Sequence, residues 1–241
     1  MILITLGKTL EELKNMFMDT GSIYNLEVER NGDIYNLNLK YIQSKFENVT
    51  IDKFYDNNNK TIGYIKLKGF TFNSYKEFKE KLEILKKENI NSLIIDLRDN
   101  GGGESKNLIK IASLFLDKDS VIFKDKYKSK EKIYYSKDNK TIYEPVVILV
   151  NNNTASCAEI LTTTLKENIN AKIIGTRTYG KGVGQTVYKS QNYSFKFTSS
   201  CWTTPSGKSI DKNGIEPDIF IDNSKDSDLQ LQKAREYLIS I

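Results

Sequence analysis

The chain has 241 residues, with 36 Lys and Arg against 31 Asp and Glu, two cysteines and no histidine. That length carries one large domain, or one domain plus a small module. The missing histidine excludes every histidine-based catalytic triad; with Cys157 and Cys201 as the whole cysteine complement, a zinc site and a disulfide framework are not expected either, and no cofactor is implied.

No run of eighteen apolar residues is present, so no transmembrane helix is expected. The opening MILITLGKTL lacks the basic region and the full-length apolar region of a signal peptide. TLEELKNMFM (9–18) predicts a short helix, with Thr9 and Glu12 as a capping box. YNLEVER (24–30) and IYNLNLKYI (34–42) predict two strands joined at Asn31-Gly32-Asp33, a hairpin signal. Residues 1–42 form one small α+β piece, and 43–60, ending in the polar YDNNNK, read as a linker. From residue 61 the pattern alternates. TIGYIKLK (61–68), SLIIDLR (92–98), VVILV (146–150) and AKIIG (171–175) predict strands. Residues 74–89, 104–117, 156–168 and 226–240 predict helices, and 184–204 is strand-rich. Such alternation predicts an α/β layer fold with a largely parallel sheet, whose sites form at the carboxyl ends of its strands. The basic stretch KDKYKSKEK (124–132) contains two acids and reads as a solvated loop, not as a nucleic-acid site.

Two strand-to-helix turns carry chemistry. DNGGGES (99–105) offers backbone N–H groups without side chains in the way. It fits neither the GxGxxG nor the P-loop pattern; a tight connection or an oxyanion hole remain open. NNNTASCAEI (151–160) places Thr154, Ser156 and Cys157 at the start of a helix. Ser156 and Glu159 form a capping box, and Thr154 is a second capping candidate. Cys157 reads as a small buried apolar residue, and a reactive cysteine would want a cation beside it. A hydroxyl nucleophile in a chain without histidine needs a lysine base held neutral. Lys181, between Gly180 and Gly182 just past a core strand, is such a candidate, with Gln185 close enough to hold its amine; an exposed lysine in a flexible loop is the competing reading.

Together these segments resemble the C-terminal processing peptidases, the tail-specific serine proteases of peptidase family S41. SLIIDLRDNGGG (92–103) is similar to the family's DLR-N-x-GG segment. NNNTASCAEI is similar to its nucleophile segment, IIGTRTYGKGVGQ (173–185) to its lysine segment, and WTTPSGKSIDKNGIEPDI (202–219) to its YYTPSGRSIxxxGIEPD segment. The resemblance covers about 61–221 and implies an α/β (α+β) layered core of the ClpP/crotonase-like kind over 61–241. It implies Ser156 as nucleophile, Lys181 as general base, Gln185 as the residue orienting the lysine, and the backbone N–H groups of Gly102 and Cys157 as oxyanion hole. Glu167 sits near the position of an assisting acid in some members. Thr154, Cys157 and Ala158 depart from the family's serine-alanine pattern. Residues 1–42 resemble the C-terminal half of a PDZ domain. The resemblance further implies hydrolysis of peptide bonds, protein or peptide substrates, homo-oligomers as an open alternative, and export to the cell envelope. Two other readings stand beside it: a peptide-binding or scaffold protein of the same fold, and an acyl-CoA-processing enzyme of the crotonase-like kind, which has no need of Ser156.

Overall fold

The computed structural model describes residues 21–40, 47–55, 60–142, 145–190, 193–223 and 227–241. The helix expected over 9–18 lies outside them. The chain divides into two units, Met1–Glu47 and Asn48–Ile241. In the first, β1 (Ile23–Arg30) and β2 (Asp33–Lys40) pair antiparallel, Arg30 opposite Asp33. Asn31 and Gly32 form the turn with φ of 56° and 87°, the positive φ that a two-residue hairpin needs at both central positions.

The second unit is built on a six-stranded sheet in the order β12-β9-β8-β5-β4-β3. Its strands are β3 (Val49–Tyr55), β4 (Thr61–Leu67), β5 (Ser92–Asp96), β8 (Val146–Val150), β9 (Lys172–Gly175) and β12 (Ile219–Phe220). All neighbours are parallel except β3, which runs antiparallel to β4 along the edge. Every residue of β5 and β8 is buried, as expected of short apolar strands covered on both faces. Helices α1 (Ser74–Lys87), α2 (Ser105–Ser113) and α3 (Cys157–Ile169) cover one face. There Phe78, Leu82, Leu108, Ile111 and Leu161 join Leu93, Ile95, Ile148 and Ile173 in one core. The alternate strand residues Ile94, Val147, Leu149 and Ile174 face the other way, onto Ala234 and Leu238 of α4 (Leu229–Ile239). A second, antiparallel sheet, β10-β11-β6-β7, consists of β10 (Val183–Lys189), β11 (Ser194–Thr203), β6 (Val121–Tyr127) and β7 (Lys130–Tyr135).

Three segments differ from expectation. Residues 49–55, inside the stretch read as a linker, form β3; Val49 is buried and Ile51 packs against the larger core, so this strand belongs to the second unit. The lysine-rich 124–132 is a hairpin of β6 and β7 rather than a loop, turned at Lys128 with φ 53°. Ile122 and Phe123 anchor it inside while Lys126, Lys128, Lys130 and Lys132 are exposed. The helix expected over 104–117 ends at Ser113, because the Leu114 carbonyl accepts from Thr141 and Ile142 instead of continuing the ladder.

Candidate active site

Three loops leave the carboxyl ends of the neighbouring strands β5, β8 and β9, and backbone-directed hydrogen bonds stitch them together. Asn100, fully buried, accepts from Ala155 N through its carbonyl at 2.9 Å and donates from Nδ2 to Leu67 O at 2.8 Å. Thr154 Oγ1 donates to Leu97 O at 2.9 Å, and Thr154 O accepts from Tyr179 N at 3.0 Å. Thr154 is therefore a buried tie between loops, neither helix cap nor nucleophile.

Ser156 is the N-cap of α3 and stands half-buried at φ 56°, ψ −119°. An L residue at positive φ costs about 1–3 kcal/mol, which the surrounding loops must supply. The glycine turn presses on it: a Cβ on Gly102, itself at φ +94°, would lie 2.8 Å from Ser156 Cβ and 2.9 Å from Cys157 N. Only a residue without a side chain lets the two turns approach this closely. The Gly102 N–H donates to Asn100 Oδ1 at 2.9 Å, so it is engaged within its own loop. Cys157 opens α3, where its N–H precedes the intrahelical ladder.

The Cys157 side chain is buried and its thiol donates to Gly103 O at 3.2 Å. Burial, the largest influence, pushes this thiol up to about 11. The thiolate is the reactive form, so Cys157 stays inert at neutral pH. Alkylation of the folded protein with iodoacetamide at pH 7.5 is expected to modify the exposed Cys201 and spare Cys157 until denaturant is added. Peptide mass mapping reads this directly, and equal labelling of both cysteines would contradict the buried-thiol account.

Lys181 sits in a clamped turn, contrary to the flexible-loop reading. Gly180 O accepts from Lys212 N at 2.8 Å, Gly182 N donates to Asp211 Oδ1 at 3.0 Å, and Lys181 O accepts from Trp202 Nε1 at 2.9 Å. A Cβ on Gly182 would meet Asp211 Cβ at 2.6 Å, so the flanking glycines are there for close packing. Lys181 is half-buried and lines an open cleft of about 590 Å³ with Gly101, Ala155, Val183 and Gln185. Gln185 is exposed on β10, and no hydrogen bond joins it to Lys181 among the described residues.

Two carboxylates on α3 have different surroundings. Glu167 is exposed and accepts from Ser206 N and Oγ at 2.7 and 3.0 Å. It lies eleven residues beyond Ser156, about 16 Å along the helix axis. Glu167 therefore holds the 204–207 turn and does not reach the Ser156 turn. Glu159, read from sequence only as the capping-box partner, is fully buried and binds the Lys181 segment as well. It accepts from Ser156 N and Lys181 N at 2.9 Å each, from Gly180 N at 2.7 Å and from Thr178 Oγ1 at 2.6 Å. The capping-box spacing was its visible signal; its partners 19 to 22 residues further on were not.

Comparison with known proteins identifies the family. The model of peptidase family S41 matches residues 61–221. The chain is 38% identical over 164 residues to carboxyl-terminal-processing peptidase 2 of Arabidopsis thaliana, covering 67% of this chain and 32% of that protein. It is 35% identical over 206 residues to the carboxy-terminal processing protease CtpA of Bacillus subtilis, covering 83% and 42%. Among solved structures, the photosystem II D1 C-terminal processing protease superposes with a TM-score of 0.68 at 26% identity, covering 85% of this chain and 56% of that one. The chain thus spans about a third to two fifths of these curated relatives' length. The family match over residues 61–221, a stretch that includes Gly102, Ser156 and Lys181, places the chain in peptidase family S41.

Proposed function

We propose that the chain carries the core of a serine endopeptidase in which Ser156 attacks the peptide carbonyl and Lys181 is the general base. The observation behind this reading is that the backbone N–H groups of Ser156 and Lys181 converge on the same Glu159 oxygen, bringing two turns 25 residues apart to one point at the carboxyl edge of the sheet. Lys181 Nζ takes the Ser156 Oγ proton as the C–O bond forms. The tetrahedral oxyanion develops at the N-terminus of α3, where the Cys157 N–H and the helix dipole favour negative charge. The Gly102 N–H joins it by exchanging Asn100 Oδ1 for the oxyanion. Lys181 then protonates the leaving amine, and water hydrolyses the acyl ester. Gln185, in the same cleft as Lys181, orients the amine once a peptide is bound.

Substrates are proteins or peptides, and the names of the relatives point to processing at carboxyl termini; tail-specific degradation is the other form this reading takes. The 1–42 segment is read as part of a PDZ-like module ahead of the core; the division of the chain at Glu47 and the hairpin within that segment support this. Incubation with casein and with a fluorophosphonate probe tests the reading. Casein fragments and a probe adduct on the peptide carrying Ser156 are expected. Absence of both would favour the peptide-binding alternative.

A further inference from the structure

The hydrogen bonds of Glu159 exceed what a helix cap requires. A capping-box glutamate needs one bond, to the N-cap N–H. Glu159 makes that bond with Ser156 through Oε2, and the same oxygen accepts from Lys181 N, both at 2.9 Å. The two backbone nitrogens therefore lie no further apart than twice that distance. Oε1 takes the Thr178 hydroxyl at 2.6 Å and Gly180 N at 2.7 Å. Thr178 Oγ1 itself accepts from Ile215 N at 2.8 Å, which turns its single proton towards the carboxylate. One fully buried side chain, rooted in the first turn of α3, thus holds both the strained Ser156 backbone and three residues of the lysine turn.

We infer that Glu159 is the positioning residue that sets Lys181 against Ser156 for proton transfer. This rests on the Ser156–Lys181 reading above. Only an acceptor with two oxygens satisfies four convergent donors. A glutamine there keeps one oxygen and turns an NH₂ group onto two N–H or O–H donors. Both oxygens accept from the lysine turn, so whichever one the NH₂ replaces that turn has to shift, and a shift of about 1 Å in a reacting pair costs about 100-fold in rate. Glu159 is fully buried and does not line the cleft, so KM is expected to change little.

The test is kcat and KM on casein for Glu159→Gln, Thr178→Val and Thr178→Ser, with circular dichroism and melting curves to certify folding. Ser156→Ala and Lys181→Ala are run beside them. For Glu159→Gln, kcat is expected to fall about 100-fold with KM within about twofold of the parent. Thr178→Val, losing one donor, lowers kcat less, and Thr178→Ser, keeping the hydroxyl, restores it. A folded Glu159→Gln with parental kcat, or with its whole loss in KM, overturns the inference while leaving the dyad intact. If Glu159→Gln does not fold, Thr178→Val against Thr178→Ser decides by the same criterion: equal kcat values overturn the inference. Parental cleavage by Ser156→Ala or Lys181→Ala refutes the dyad itself, and this inference with it.

Discussion

Ser156→Ala and Lys181→Ala are each expected to lower kcat for casein cleavage by at least about 10⁴-fold, the scale on which nucleophile and base act in hydrolases. Both substitutions spare the scaffold. Alanine at 156 keeps the Cβ that meets Gly102 and the backbone N–H that Glu159 accepts, so the positive-φ turn is conserved. Alanine at 181 leaves the backbone contacts to Glu159 and Trp202 in place, since both run through the Lys181 main chain. Melting temperatures should therefore stay near the parent's while activity disappears. The double variant should be no worse than either single one, because a nucleophile and its base act as a unit. Lys181→Arg should be equally inactive: a guanidinium remains protonated and cannot serve as base. Rates from fluorescent casein, read beside melting curves, check all four variants. A Lys181→Ala protein that cleaves casein at the parental rate would rule out lysine as the base.

The second large effect falls on stability. Arg98→Ala is expected to cost about 3–5 kcal/mol, because the buried Asp96 carboxylate loses its guanidinium and keeps only the longer Lys66 ion pair at 3.5 Å beside the Tyr64 hydroxyl at 2.6 Å and a backbone N–H at 2.9 Å. Asp96 is fully buried at the end of β5, and Arg98 binds it through Nε at 3.0 Å and Nη2 at 2.7 Å. The same guanidinium reaches Asp228 Oδ1 at 2.7 Å and Gln230 Oε1 at 3.2 Å, fastening the start of α4 to the sheet. For a domain of this size such a loss lowers Tm by roughly 10 °C, measurable by calorimetry. Asp96→Asn added to Arg98→Ala should recover part of it by removing a buried charge that Lys66, at 3.5 Å, then offsets alone. The pH dependence has a definite sign. Burial pushes the Asp228 carboxyl up, but the hydrogen bonds from Arg98 and the Leu231 N–H outweigh it and hold Asp228 below its ordinary value. A depressed carboxyl stabilises the fold fully above its unfolded value, about 3.9, and that contribution fades as pH falls through the folded value. In Arg98→Ala this acid-side dependence should shrink.

Sequence alone determined what depends on neighbours along the chain. The runs SLIID and VVILV read as core strands because they are short and mostly apolar, and every residue of both is buried, Asp96 included. Asn31-Gly32 read as a hairpin because few residue pairs adopt positive φ twice, and both do. Lysine as the candidate base followed from the absence of histidine, and its flanking glycines marked a constrained turn. Tertiary structure decided what depends on which loops meet. The lysine-rich 124–132 carries no strong strand signal of its own; pairing with β11 and anchoring by Ile122 and Phe123 make it a hairpin. Sequence marked Glu159 only as a capping-box partner and Glu167 as near the position of an assisting acid. Helix pitch and the approach of the 178–181 turn gave Glu159 four donors at the Ser156 turn and left Glu167 holding Ser206. The physical reason is range: periodicity and capping act over three or four residues, whereas a buried carboxylate takes its partners from whatever segments the sheet order brings beside it.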